Sequence, residues 1–477
     1  MAYNFVAGDR DQLLLMPPSL AEWLPAEHLA WFVLDVVGEL DLSAFRAAYR
    51  DDGRGGAAYD PAVMVALLVY AYCVGERSSR VIERRCTEDV AFRVIAANQA
   101  PDHATVARFR ATHQDAFAAL FGQVLGLCAR EGLVRAGVVA IDGTRMRANA
   151  SSEANRTAEQ LAKEILEDAA NTDAQEDERF GDARGDELPP TLTGPGRRAR
   201  IRELLDELEA DAQKRSYEAQ MARRAEIEAA TGRRLRGRQP KPDAFHRKPR
   251  QRANLTDPDS RLLRSKDGFL QGYNAQAAAT VDQVIVAAEV TNDANDGAQF
   301  APMVAATQTN LRDAGARSRV RTVVADAGYF SKDNAATAGI EALIAPGKRD
   351  IGRQAHAEQQ RNAVLERVER GEISRTDAAV ELGLGRSRVD QLVLARERGL
   401  PPSPAVVMLT KLATPRGRRL YKKRAASIEP VFGQTKHNRG IRRFSRRGLS
   451  AVDSEWKLIA ATHNLLKLWR HTNTAFA

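Results

Sequence analysis

Apolar and polar positions alternate along this chain in two modes, and each predicts a different kind of element. Up to residue 135 the spacing is helical. Pro61–Val74 (PAVMVALLVYAYCV) is apolar all round, which predicts a helix buried on every side. Ser79–Val94 and Ala104–Arg130 follow at helical spacing, with Gln99–Thr105 (QAPDHAT) as the turn between them. From residue 137 short apolar runs take over: 137–145, Gly272–Thr280, Gln283–Thr291, Val320–Asp326 and Ala342–Ala345. Runs this short predict strands of a sheet. Between and after them, Asp296–Ala314, Ser331–Gly339 and Val452–Arg470 return to helical spacing. In the last of these, Trp456, Ile459, His463 and Leu466 line one face, and His463 reads as a packing residue.

Two stretches interrupt the strand-and-helix order. Residues 151–265 begin with a weak amphipathic helix at Asn155–Ala170, pass through a polar loop at Asn171–Gly196 and continue in a charged helix at Arg197–Thr231. A Pro-rich basic arm, RRLRGRQPKPDAFHRKPRQR, follows. This reads as a helical hairpin plus an arm that either tracks a polyanion or is a plain linker. Residues 351–404 contain EISRTDAAVELGLGRSRVDQLV (Glu372–Val393). Ala378, Ala379 and Leu382 would pack one helix, Gly383 permits a turn, and Ser387 opens a second helix carrying Arg386 and Arg388. That fits a helix-turn-helix that reads DNA, or equally a generic helical pair.

Composition narrows the partners. A length of 477 residues suggests two to four domains. A net charge of +9 favours an anionic partner. Cys73, Cys86 and Cys128 are far apart and read as buried thiols of a reducing compartment. The histidines show no metal-ligand spacing, so no zinc site is expected. The N-terminus lacks a signal-peptide pattern and no apolar run is long enough to span a bilayer, so a cytoplasmic location and no membrane partner are expected.

The chemistry concentrates in Lys411–Arg447, which holds thirteen Lys or Arg and a single acid, Glu429. Tyr421, Arg424, Glu429 and Lys436 are spaced Y-x2-R-x4-E-x6-K. On a helix Glu429 and Lys436 would share a face, an arrangement suited to a metal held against a phosphate. Arg442 and Arg443 extend the basic run toward DNA, and Arg108 follows the turn in the N-terminal region. Pro430 directly after Glu429 predicts a helix that starts near Ser427, with Arg424 ahead of it. Two earlier acids, Asp142 and Asp326, each close a Val-rich run beside small residues. Acids at strand ends converge on one sheet edge, as two-metal phosphoryl transfer requires. Asp257, Asp259, Asp282, Asp293 and Asp296 lie in loop-like contexts and read as turns or caps.

With NLTDPDSRLL (Asn254–Leu263), GFLQGYNAQ (Gly268–Gln276), EVTNDANDGAQFAPM (Glu289–Met303) and HNLLKL (His463–Leu468), these motifs resemble the bacterial insertion-sequence transposases of the DDE type, in the branch with the Tyr-Arg-Glu-Lys signature. The resemblance covers most of residues 30–150, 250–350 and 405–470. It departs from the family pattern in having four residues, not three, between Arg424 and Glu429. It implies an α/β fold: an RNase H-like catalytic core with two largely helical insertions, preceded by an all-α N-terminal domain. The implied domains are 1–135 (DNA-binding), 136–350 (core, interrupted by 151–265), 351–404 (insertion) and 405–477 (core, second part). The implied activity is metal-dependent DNA strand cleavage and strand transfer at terminal inverted repeats and target DNA. Asp142 would bridge two Mg2+ ions, or Mn2+ in their place, with Asp326 and Glu429 each completing one. Lys436 and Arg424 would clamp phosphates, and Tyr421 would stack on a base or support the clamp. A homodimer in the DNA complex and association with the nucleoid are implied as well. The other readings are a DNA-binding regulator and a catalytically inactive remnant.

Overall fold

The computed structural model describes residues 19–49, 58–152, 155–156, scattered positions between 214 and 229, 253–254, 256–265, 268–347 and 351–475. Most of the first expected insertion, including its polar loop and basic arm, lies outside the described residues; Asn155 and Arg156 pair as a strand rather than opening a helix, and the described positions between 214 and 229 are helical. The chain divides into two compact units, Met1–Met146 with Asn274–Ala477, and Arg147–Tyr273.

The larger unit begins with helices α1 (Leu29–Glu39), α2 (Ser43–Arg46), α3 (Pro61–Cys73), α4 (Ser79–Glu88), α5 (Val90–Ile95), α6 (His103–Thr112) and α7 (Gln114–Arg130). α3 starts at Pro61 behind the capping carboxylate of Asp60 and is buried from Met64 to Cys73, as its all-round apolar pattern predicts. Two expected single helices are each broken in two. Asp89 turns extended and its side chain accepts from the N–H groups of Ala91 and Phe92, so α5 starts afresh. His113 leaves helical geometry, and its ring nitrogens bond Phe109 O at 2.8 Å and Phe45 O at 3.1 Å.

The strands are β1 (Val138–Arg147), β2 (Asn155–Arg156), β3 (Ala253–Asn254), β4 (Arg261–Ser265), β5 (Gly268–Thr280), β6 (Ile285–Thr291), β7 (Thr322–Ala325) and β8 (Glu341–Ile344); β2 and β3 pair with each other, and the other six form the main sheet. The order of the main sheet is β4–β5–β1–β7–β8, with β6 also paired to β5. β6 runs antiparallel to β5, whereas β1, β7 and β8 run parallel. Helix α8 (Phe300–Asp313) links the two halves; α9 covers only Lys332–Ala335, shorter than the expected Ser331–Gly339. The Thr337 hydroxyl bonds Asn334 O, and Gly339 turns the chain at a φ of +79°.

Helices α10 (Ile351–Glu369), α11 (Arg375–Leu382) and α12 (Arg386–Glu397) share a small core of Val364, Leu365, Ala378, Ala379, Val389 and Val393. A capping box of Ser374 and Asp377 opens α11, and Gly383 closes it in the left-handed region. α13 (Pro404–Ala413), α14 (Pro415–Gly433), a π-helical turn (Gln434–Asn438) and α15 (Leu449–Ala475) complete the unit.

α15 packs on α7, β6 and α3. Asn464 clamps β6 from both sides of one residue, accepting from Ile285 N and donating to Ile285 O, each at 2.8 Å. The Trp456 indole donates to Gln276 O at 2.8 Å. His463 is a packing residue: burial pushes it down to about 3 and Nε2 meets Gln283 O. The three cysteines are free and buried. Among the described residues no helix is long and apolar enough to cross a membrane.

In the smaller unit, Asn254 donates to Ser151 O and Asn155 Oδ1 and accepts from the N–H groups of Thr256 and Asp257. Asp257 is fully buried and accepts from the Tyr273 hydroxyl at 2.7 Å. The NLTDPDS stretch is thus a hydrogen-bonded turn, as its residue types suggest.

Candidate active site

The parallel register pairs Ile141 of β1 with Ala325 of β7. The next residues, Asp142 and Asp326, therefore stand side by side. They reach this position differently. β7 stops at Ala325, so Asp326 lies at a strand end and caps a 3-10 turn, accepting from Gly328 N at 2.8 Å. β1 continues to Arg147, so Asp142 sits within a strand rather than at its end as expected.

α14 corrects the expectation for Glu429. The helix begins at Pro415, not near Ser427, and carries Pro430 in its interior. Proline there leaves the carbonyl four residues back without its helical donor. That carbonyl, Ala426 O, instead accepts from the Gln283 side chain at 3.2 Å. Arg424 is consequently inside the helix. Its guanidinium bonds Asp142 Oδ2 at 2.9 Å and Glu429 Oε1 at 3.2 Å. Glu429 and Lys436 do not lie on one regular helical face, because the helix widens into the π turn that contains Lys436. The Lys436 ammonium instead crosses to β1, donating to Thr144 Oγ1 at 2.5 Å and Arg145 O at 2.8 Å.

Burial and the adjacent Asp326 charge push the Asp142 carboxyl up to about 6, against the pull of Arg424 and the Gly143 N–H. Burial, and then Arg145, bring the Lys436 ammonium down to about 8. Tyr421 is raised, mainly by burial.

A further acid belongs to this neighbourhood. Asp296 accepts from Asn274 Nδ2 at 2.7 Å, Gln276 Nε2 at 3.0 Å and Arg145 at 3.2 Å. Gln276 also accepts from the Tyr329 hydroxyl. Burial, and then the charges of Asp296, Asp142 and Asp326, raise Tyr329 well above the usual phenol range. Gly143 and Gly328 make room for this packing. A Cβ on Gly143 would come within 2.3 Å of the Gln276 amide and 2.7 Å of Asp296, and one on Gly328 within 3.0 Å of Asp326. Sequence reasoning treated Asp296 as a turn residue. The signal was present: Asn274 and Gln276 lie in the GYNAQ motif and Asp296 in EVTNDAND, two stretches that meet here.

The other expected DNA-binding residues make no ion pair with these acids among the described residues. Arg108, Arg386, Arg388, Arg442 and Arg443 are all exposed. Arg386 pairs with Asp390 and Arg388 bonds Gln391 at 3.1 Å. Arg442 reaches back to Lys436 O at 3.1 Å.

Two family models match the chain. Residues 18–112 match the Transposase domain (DUF772), and residues 403–469 match the Transposase DDE domain. These matches support an insertion-sequence transposase of the DDE type. The DDE match includes Tyr421, Arg424, Glu429, Lys436, Arg442 and Arg443 of this chain, and excludes Asp142 and Asp326. No curated protein and no solved structure matches the chain. A DDE domain implies a nuclease or transferase enzyme whose family generally uses divalent metal ions.

The residues present fit such an ion in donor chemistry. Asp142, Asp326 and Glu429 offer carboxylate oxygens alone, the donors a hard divalent cation takes. As they stand, no three acid, His or Cys side chains among the described residues are close enough to hold one metal together. The Arg424 guanidinium lies between Asp142 and Glu429, where it serves as their counter-ion.

Proposed function

We propose that the transposase binds the ends of its element and target DNA, cuts the ends and joins them to the target on an RNase H-like core. The observation that carries this reading is the β1–β7 register, which sets Asp142 beside Asp326, with Arg424 tying Glu429 to Asp142. The sheet order β6–β5–β1–β7–β8, antiparallel on one side and parallel on the other, supports the RNase H-like core.

Asp142, Asp326 and Glu429 would hold Mg2+, or Mn2+ in its place, which when bound supplies an activated water and neutralises charge on the phosphodiester. Arg424 has a planar fork suited to a phosphate once it leaves the carboxylates. Lys436 provides a compact positive charge on the β1 side of the site. Arg386 and Arg388 open the second helix of a helix-turn-helix, where side chains meet base edges. Asp296, fully occupied by its donors, holds Asn274, Gln276 and Arg145 in place and so positions the strands that carry Asp142.

The test is nicking of a plasmid bearing the element end, in Mg2+. Asp142→Asn, Asp326→Asn and Glu429→Gln should each reduce nicking to background while DNA binding survives. A variant that nicks at the wild-type rate removes that residue from the site. Wild-type protein that binds the end but never nicks, in Mg2+ or Mn2+, would make the chain a DNA-binding regulator or an inactive remnant.

A further inference from the structure

The acids lie toward the ends at which the parallel strands β1 and β7 finish. Ligand sites of open parallel sheets sit at those carboxyl ends. The opposite end of the same strands carries a feature that the proposed chemistry does not use. A groove of about 800 Å³ opens there, lined by Gly137 ahead of β1, by Arg317, Arg319 and Arg321 ahead of β7, and by Glu341 at the start of β8. The three arginines recur at every second residue and all are exposed. None has an ion-pair partner among the described residues. The one carboxylate in the groove is already neutralised: Glu341 is bound by Arg416 and by the Thr322 hydroxyl, and these bonds hold its carboxyl below the usual range. Among the described residues the groove's positive charge is therefore uncompensated.

An exposed guanidinium gains little from an ordinary surface role, and three of them in one concavity repel one another. Their fork geometry matches phosphate. We propose that this groove is a second DNA-backbone surface, holding duplex flanking the reacting strand or the target, at the end of the sheet away from the acids. The proposal rests on the transposase reading. β7 is four residues long, so the groove lies roughly 13 Å or more from Asp326, and a phosphate held in it cannot also lie between the carboxylates. The groove contacts phosphate alone, so it contributes affinity without sequence preference.

The experiment is binding of full-length protein to duplex DNA across a salt titration, with nicking measured in parallel at saturating DNA. For Arg317→Ala/Arg319→Ala/Arg321→Ala, three lost phosphate contacts should make the slope of log affinity against log salt shallower by about 2.7, while nicking at saturation stays at the wild-type rate. The triple lysine variant, which keeps the charges, should restore most of the slope and controls for misfolding. An unchanged slope in the alanine variant overturns the proposal, as does a lost slope that lysine does not restore. Loss of RNA binding with duplex binding intact would overturn it in favour of a different polyanion. If wild type itself neither binds nor nicks duplex DNA, the transposase reading fails first; if wild type does both and the alanine variant matches it, only the groove fails.

Discussion

Asp142→Asn in metal-free buffer measures how far the fold opposes ionisation at the centre of its own site. Burial and Asp326 move the Asp142 carboxyl from an ordinary 3.8 to about 6. Because the folded value lies above the unfolded one, folding favours the protonated acid. The resulting stability is complete below pH 3.8 and is lost as pH rises through about 6. At about 1.36 kcal/mol per pH unit, the full loss is about 3 kcal/mol. Linkage puts roughly half of it already lost at pH 5, leaving on the order of 1–2 kcal/mol to be lost between pH 5 and pH 8. The side chain is only 19% exposed, so solvent screening takes little from this figure. Asparagine has the shape of the neutral acid at every pH. The stability of the variant relative to wild type should therefore rise by about 1–2 kcal/mol from pH 5 to pH 8, whatever fixed difference separates them. Urea unfolding in EDTA at pH 5, 6.5 and 8 reads this directly. A gap that stays constant, or that widens in favour of wild type, would refute the reasoning and mean that Arg424 and the Gly143 N–H outweigh burial.

Three other outcomes are expected. Lys436 titrates near pH 8, so DNA affinity at fixed salt should fall between pH 7 and pH 9 in wild type and less so in Lys436→Ala; coincident pH profiles would remove Lys436 from the DNA contact. Arg386→Ala and Arg388→Ala should each weaken binding of the element end by about 1–3 kcal/mol if the side chain reads a base, and gel shifts that match wild type would return α12 to a structural role. Gly143→Ala forces a methyl into the Gln276 and Asp296 side chains and should cost about 1–3 kcal/mol as overpacking; an unchanged melting temperature would show that the network yields.

Five of the sheet's six strands and the buried helix α3 were legible in the sequence, because each rests on a local pattern. Other features were not legible. The extent of α14 was misjudged because a proline after Glu429 looks like a helix start, and only a distant side chain, Gln283, makes an interior proline tolerable. The role of Arg424 was obscured for the same reason: it bonds an acid 282 residues away. Asp296 was read as a turn because its donors come from β1 and β5, and nothing in its own neighbourhood announces them. The breaks at Asp89 and His113 also came from side chains bonding backbone, where apolar spacing alone runs on unbroken.

The placement of α15 has a consequence for the making of the protein. α3 leaves the ribosome well before α15, and nearly every side of it is apolar. The helix that packs on it, and on α7 and β6 as well, begins only at Leu449, 376 residues after Cys73. At about 5–20 residues per second, roughly 20–75 s of synthesis separate the two. Throughout that interval the nascent N-terminal helices lack one of their principal packing partners and expose surface that favours aggregation. A message that ends before Leu449 would leave that surface open permanently, so a prematurely terminated copy would burden the cell's chaperones as a sticky fragment.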